Sequence, residues 1–362
     1  VEAEEVARAV RAQGVSPLAA AGVAVQGAGG GWAEETGGDE GVFFDLASVT
    51  KPMTAVAAAM AGLREQVLGS LVADARGTPS DDVSVELFLA HRAGLEGHIP
   101  LYEPLLRGET VDRRAALRTA ARARRPDAQG RPPQEGFAPV YSDLGYALAG
   151  EALARAAGAR DAGEAIDRLV LLPMGIAGEA GTVRELRSRG ITGPFAPTET
   201  VAWRGGPVVG AVHDENAWAL TGEGGSGHAG VFGTVRAVLA FGKAVLAASQ
   251  RGELEWLVRE RPGGTLRAGF DGKSADGSTA GPKGTVATRS SAGARMSLRA
   301  FGHLGFTGTS LWIDPDARVV VVLLTNRVCP TRKHLAIRAA RPWAHDALFE
   351  RGMALALGPS QP

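Results

Sequence analysis

Cysteine is almost missing from this chain. Cys329 stands alone, so neither an internal disulfide nor a cysteine-based metal cage can form. Charge bias is missing as well: lysine plus arginine equals aspartate plus glutamate at 39 each. No bulk field therefore draws the chain to nucleic acid or to anionic lipid. Long apolar runs are absent, and the best stretch, residues 55–63, is too short to span a bilayer. No Gly-x-Ser-x-Gly elbow occurs, which leaves an α/β-hydrolase nucleophile unsupported. The glycine runs Gly29–Gly31 and Gly222–Gly230 lack the strand-and-helix setting of a nucleotide-binding loop. His213-Asp214-Glu215 has no His-Glu-x-x-His spacing and no second ligand cluster, so it reads as a self-bonded loop rather than a metal site. The expectation is no cofactor, no metal, no nucleic-acid partner and no membrane span. The first residue is valine and no signal-peptide pattern follows it, so compartment stays open, as does oligomeric state.

What is present is an ordinary globular composition. The 362 residues, 45% hydrophobic and 22% charged, can bury a substantial core in one large domain or two smaller ones. Apolar periodicity predicts helices over 2–13, 50–63, 113–125, 144–157, 162–172, 235–248 and 335–357. Residues 22–26 and 32–35 form a hairpin pattern around a glycine-rich turn. Strong strand signals cover 309–313 and 318–325, joined by the turn Asp314-Pro315-Asp316. Loops are expected at 127–139, 192–207 and 263–293, the last interrupted by a short strand near 266–270. Strands thus sit at both ends and helices in the middle. The economical reading is an α/β fold whose sheet comes from both ends, with a mostly helical insertion. Its boundaries would be 1–75 and 262–362 for the sheet unit and 76–261 for the insertion, with a cleft where they meet.

Three segments carry chemistry. In Ser48-Val49-Thr50-Lys51, helical spacing puts a hydroxyl and an amine on one face. A serine needs a neighbouring base, and lysine serves only if its pKa is depressed by burial or nearby positive charge. Apolar flanks, Phe44 to Ala47 and Pro52 to Ala55, predict a buried Lys51. Taken alone, Ser-x-x-Lys is a weak signal that fits an N-capping serine beside a surface lysine better. The second segment, Pro139-Val140-Tyr141-Ser142-Asp143, precedes a predicted helix and can aim the Tyr141 phenol into a cleft as a proton relay. The third, Phe301-Gly302-His303-Leu304-Gly305-Phe306, is a glycine-interleaved strand that lets a substrate approach and can offer a backbone N–H to an oxyanion.

Taken together, the chain resembles the class C β-lactamase and penicillin-binding-protein-related serine hydrolases. Their motifs are Ser-x-x-Lys, Tyr-x-Asn and Lys-Thr-Gly, the last often His-x-Gly in esterase-like members. The order is the same here. Leu89-Ala90-His91-Arg92-Ala93-Gly94-Leu95, Val212 to Ala217 and Gly227 to Thr234 match that family as well. The resemblance implies a β-lactamase/transpeptidase-like fold and an acyl-enzyme on Ser48, with Lys51 and Tyr141 carrying its proton. It also implies an oxyanion hole from the N–H groups of Ser48 and Phe306, a periplasmic or secreted setting, and a small ester or amide substrate. Asp143, His303, Leu304 and Gly305 fall at substrate-binding positions.

Two departures shape the expected specificity. Asp143 replaces the family's asparagine, and His303 and Leu304 replace the lysine and threonine that hold a carboxylate in β-lactamases. Neutral esters should therefore outrun cephalosporins and D-Ala-D-Ala peptides. His303 should gain charge below about pH 6.5 and partly restore the carboxylate grip. Arg295 and Arg299, just upstream, could also supply it. The rivals are a D-Ala-D-Ala carboxypeptidase or β-lactamase, an acyltransferase, and a non-catalytic module that binds cell-wall fragments.

Overall fold

In the computed structural model, residues 1–275 and 290–358 are described. The middle of the loop expected over 263–293 lies outside them. Six strands form one antiparallel sheet: β1 (Ala19–Gln26), β2 (Trp32–Gly38), β3 (Asp271–Gly272), β4 (Phe301–Leu304), β5 (Ser310–Asp314) and β6 (Val319–Thr325). Their spatial order is β2-β1-β6-β5-β4-β3. The N-terminal hairpin is thus stitched to the C-terminal strands, with Val23 opposite Val321 on one side and Glu35 on the other.

The strand β6 shows why both faces of this sheet are covered. Its sequence, Val-Val-Val-Val-Leu-Leu-Thr, is buried throughout. Side chains of a strand alternate between faces, and here the alternation divides two cores. Val320, Val322 and Leu324 enter the larger core, while Val319, Val321 and Leu323 enter the smaller. The smaller core is closed by α1 (Ala3–Ala12) and by α6 (Ile337–Leu357), through Val6, Val10, Ile337 and Leu348. In the larger core lie α2 (Thr50–Met60), α3 (Arg113–Arg122), α4 (Asp143–Ala156) and α5 (Val235–Gln250), through Met53, Leu117, Leu148 and Phe241. Capping fixes where two of these helices begin: Asp112 accepts from Arg114 and Ala115, and Ser142 accepts from Gly145.

Two local expectations shift. The short strand falls at 271–272, not 266–270, because Gly269 adopts φ +90° and turns the chain sharply. A Cβ on Gly269 would lie 2.3 Å from that of Ala55, so the turn presses directly on α2. The helix expected over 162–172 begins as an α-helix, Ala162–Ile166, and continues as a π-helical turn, Asp167–Leu171. No helix among the described residues is long and apolar enough to cross a membrane.

Candidate active site

The segment before α2 is strained and tightly held. Ala47 adopts φ +47°, a left-handed conformation that a residue with a Cβ avoids. The buried Asp45 carboxylate holds it there, accepting from the N–H of Ala47 at 2.8 Å and of His213 at 2.7 Å. Ser48 follows in a 3-10 turn, Ala47–Val49, that runs straight into α2. One turn on, Lys51 is fully buried, and its Nζ donates to Ser48 Oγ at 2.9 Å, as the spacing predicts.

The same Nζ donates to Asp143 Oδ1 at 2.7 Å and to the His228 carbonyl at 3.4 Å. Three ammonium hydrogens therefore meet three acceptors. Burial pulls the amine down, but the Asp143 carboxylate and the Tyr141 oxygen outweigh it, and the pKa rises above its ordinary value. This corrects the expectation of a depressed Lys51. The residue replacing the family's asparagine is an anion in contact with the amine, and it stabilises the ammonium.

Tyr141 lies against this group, its ring centroid 4.7 Å from Lys51 Nζ. Although Tyr141 is partly exposed to the cavity, desolvation by the packed groups beneath it and the Asp143 charge push its phenol above the usual value, while Lys51 pulls the other way. His91 stacks under the ring at 4.6 Å, and the expectation from sequence gave it no role. Its Nδ1 accepts from the Ser142 N–H at 3.0 Å, which puts the imidazole proton on Nε2. Burial, with Lys51 nearby, holds its pKa well below the ordinary value. A neutral, fixed ring thus supports Tyr141.

The third segment is a strand only as far as Leu304; a turn, 305–309, follows and β5 begins at Ser310. A Cβ on Gly305 would fall 2.0 Å from Thr309 Oγ1 and 2.6 Å from the Leu46 carbonyl, so only glycine fits. Two hydroxyls tie the turn to the segment that precedes Ser48: Thr307 donates to Asp45 O at 2.7 Å and Thr309 to Leu46 O at 2.9 Å. The N–H groups of Ser48 and Phe306 have no hydrogen-bond partner among the described residues. Both residues line a cavity of about 680 Å³, together with Tyr141, Asp143, His303, Leu304 and Gly305. All the site residues expected from sequence except Lys51, which is buried beneath Ser48, line this space.

The charges around the cavity differ from expectation. His303 donates from Nδ1 to the Leu304 carbonyl at 2.9 Å. Burial, with the Lys51 charge, drives its pKa to about 3, so it stays neutral where it was expected to charge. Arg299 turns away to Asp316 and Arg295 to Glu350. Other arginines, unassigned from sequence, line the cavity instead: Arg327, Arg332, Arg338 and Arg341. Arg332 is paired with Glu199 and Glu215. The other three have no carboxylate partner among the described residues. Arg327 lies 4.5 Å over the Phe306 ring and donates to the Phe306 carbonyl at 2.8 Å. Arg338 is exposed at the rim. In the loop 213–215 the side chains diverge, His213 to Glu199, Asp214 to His228 and Glu215 to Arg332.

Comparison with known proteins agrees with this geometry. The sequence pattern of the family described as Beta-lactamase matches residues 5–342. A Salmonella agona protein whose name assigns it provisionally as a D-alanyl-D-alanine carboxypeptidase is 27% identical over 210 residues, which is 54% of this chain and 46% of that protein. The chain thus spans about half the length of the curated relatives it matches. A class C beta-lactamase from Rhodobacter sphaeroides superposes with TM-score 0.65 at 15% identity, covering 97% of this chain and 99% of that one. EstCE1, a hydrolase with promiscuous acyltransferase activity, superposes with TM-score 0.61 at 18% identity over 94% and 97% of the two chains. At such identities these structures establish the fold. With the family pattern extending over almost all of its length, the chain belongs to the beta-lactamase family of serine hydrolases.

Proposed function

We propose that this protein hydrolyses small esters or amides through an acyl-Ser48 intermediate. The observation that carries the reading is the contact of a buried lysine amine with Ser48 Oγ at 2.9 Å, at the floor of a cavity that also holds Tyr141. Acylation joins Ser48 Oγ to the substrate's carbonyl carbon and moves the carbonyl electron pair onto oxygen, which the N–H groups of Ser48 and Phe306 receive. The serine proton passes to Lys51 as Lys51 passes one to Asp143. Tyr141 protonates the departing oxygen or nitrogen and is refilled by Lys51, which recovers its proton from Asp143. Water repeats the sequence on the acyl-enzyme, releases the acid and frees Ser48.

In this reading residues 1–75 and 262–362 are one unit and 76–261 an insertion. Ser48 and Phe306 then face Tyr141 and Asp143 across the boundary. The sheet supports it, since all six strands come from the first unit, although α5 of the second packs on them.

A second reading, a carboxypeptidase or β-lactamase acting on a carboxylate-bearing substrate, is favoured by Arg327 and Arg338, cations on the cavity wall without a carboxylate partner. A panel of nitrophenyl esters, a chromogenic cephalosporin and a D-Ala-D-Ala peptide separates the two. We expect the esters to give the highest kcat/KM at pH 7, and a panel led by the cephalosporin or the peptide would install the second reading. Ser48→Ala should lose turnover by about 10⁴-fold or more and form no adduct in intact-mass spectra. A wild-type protein that no fluorophosphonate labels would be a binding module instead.

A further inference from the structure

Arg341, in the first turns of α6, is buried against the turn 305–309. One nitrogen, Nη2, donates to two main-chain carbonyls, Gly305 O at 2.7 Å and Thr309 O at 2.9 Å. No carboxylate faces it among the described residues, and its Nε is buried without a hydrogen-bond partner. As a stabilising device this is poor, because a buried guanidinium without a counter-ion is costly to desolvate. Its position gives the cost a purpose.

The Gly305 carbonyl and the Phe306 N–H are two ends of one planar peptide group. A cationic donor on the oxygen polarises that amide and strengthens its nitrogen as a donor. Thr309 O, the second acceptor, also receives the Gly305 N–H at 2.7 Å, so the guanidinium closes the turn it polarises. Thr307 and Thr309 lock the same turn to the segment that precedes Ser48. A cation that lacks an anion in the resting state gains one when negative charge develops at the oxyanion, which is differential stabilisation of the transition state.

We propose that Arg341 is a positioning residue that charges the oxyanion hole, acting through the Gly305–Phe306 peptide on the N–H that receives the developing oxyanion. This rests on the acyl-Ser48 reading above. The residue is distinct from Arg327, whose bond is to the Phe306 carbonyl, an oxygen of the next peptide unit.

The test is isotope-edited infrared spectroscopy of the acyl-enzyme made from a nitrophenyl ester labelled at its carbonyl carbon. In the wild type the acyl carbonyl should absorb below the same acyl group carried as a simple alkyl ester in water, the mark of a strong oxyanion hole. Arg341→Gln should move that band towards the water value. Its kcat should fall about 10-fold, less than the loss on deleting a direct donor, with KM nearly unchanged. Arg341→Lys should recover part of both. An Arg341→Gln band at the wild-type frequency would make Arg341 a packing residue, whatever happens to the rate. Should Arg341→Gln fail to fold by circular dichroism, the same comparison on folded Arg341→Lys decides: a band between wild type and water supports the proposal, and an unmoved band overturns it. A wild-type band at the water value would instead refute the oxyanion hole itself, before any variant is made.

Discussion

The two walls of the cavity handle charge in opposite ways. On the Ser48 side the charges of Lys51 and Asp214 have side-chain partners: Lys51 with Asp143 at 2.7 Å, and Asp214 with His228 at 2.9 Å. On the Phe306 side, Arg327, Arg338 and Arg341 have no carboxylate partner among the described residues, and Arg332 alone is neutralised. A paired wall can pass protons between neighbours without changing its net charge. An unpaired wall holds a standing positive potential, which suits the stabilisation of anions more than the movement of protons. The difference teaches that one cavity can keep paired and unpaired charges on separate elements, the pairs on helices α2 and α4 and the unpaired arginines on the C-terminal arm.

Breaking the paired wall should have the largest effect. Lys51→Arg keeps a cation but cannot give up its proton, and Tyr141→Phe keeps the ring but loses the hydroxyl. Each should lower kcat/KM by about 10²- to 10⁴-fold on a nitrophenyl ester. Near-wild-type rates in both would take the proton away from this wall. The unpaired wall is probed by Arg338→Gln. Turnover of carboxylate-bearing substrates should drop by about 5- to 10-fold and lose part of its salt dependence, while neutral esters keep their rate. An equal loss on both substrate types would mean that Arg338 does not sort substrates by charge.

Asp143→Asn sharpens the comparison through pH. The carboxylate raises the Lys51 pKa against burial, so removing it leaves burial unopposed and the amine loses its proton more easily. Lys51 then has no carboxylate to take its proton, so the rate at neutral pH should fall and activity should rise with pH as the amine loses its own proton. A profile unchanged from wild type would show that Asp143 neither takes that proton nor sets the Lys51 charge. The smallest expected change is none at all. With its pKa at about 3, His303 gains a proton only far below neutrality. The ester-to-cephalosporin ratio should therefore stay level between pH 7 and pH 5. A ratio that tilts towards the cephalosporin near pH 6.5 would return the role of carboxylate grip to His303.

Much of the paired wall was legible in the sequence, because its parts are local. Ser48 and Lys51 are one helical turn apart, and Tyr141 and Asp143 sit where a loop enters a capped helix. The strand β6 announced itself by an unbroken run of buried branched residues, and β5 by the apolar Leu311-Trp312-Ile313 just before the turn Asp314-Pro315-Asp316. The unpaired wall had no such signature, since Arg327, Arg338 and Arg341 are gathered from the end of β6 and the start of α6. Arg295 and Arg299 misled for the same reason. They precede β4, whose other end carries Gly305, so nearness in sequence puts Arg299 beside Asp316 at the far end of the sheet. His91 escaped because its value lies in an imidazole lone pair facing the Ser142 N–H, a contact made in three dimensions. The charge states of Lys51 and His303 were misjudged because each is set by burial and by neighbours from distant segments.

The stitching of β1 to β6 also bears on when the residues of the cavity can meet. Val23 pairs with Val321, and α6 packs on β1 and β6. A chain growing from its N-terminus on the ribosome carries Ser48 and Lys51 long before Gly305, Phe306 or Arg341 exists. Pairings so far apart in sequence close late, since the loop entropy must be overcome before any contact rewards it. Until those later segments are made, Ser48 and Lys51 have neither the Phe306 N–H beside them nor the arginines of the C-terminal arm opposite. The residues of the cavity thus come together only after the strands β4 to β6 and the helix α6 have been made.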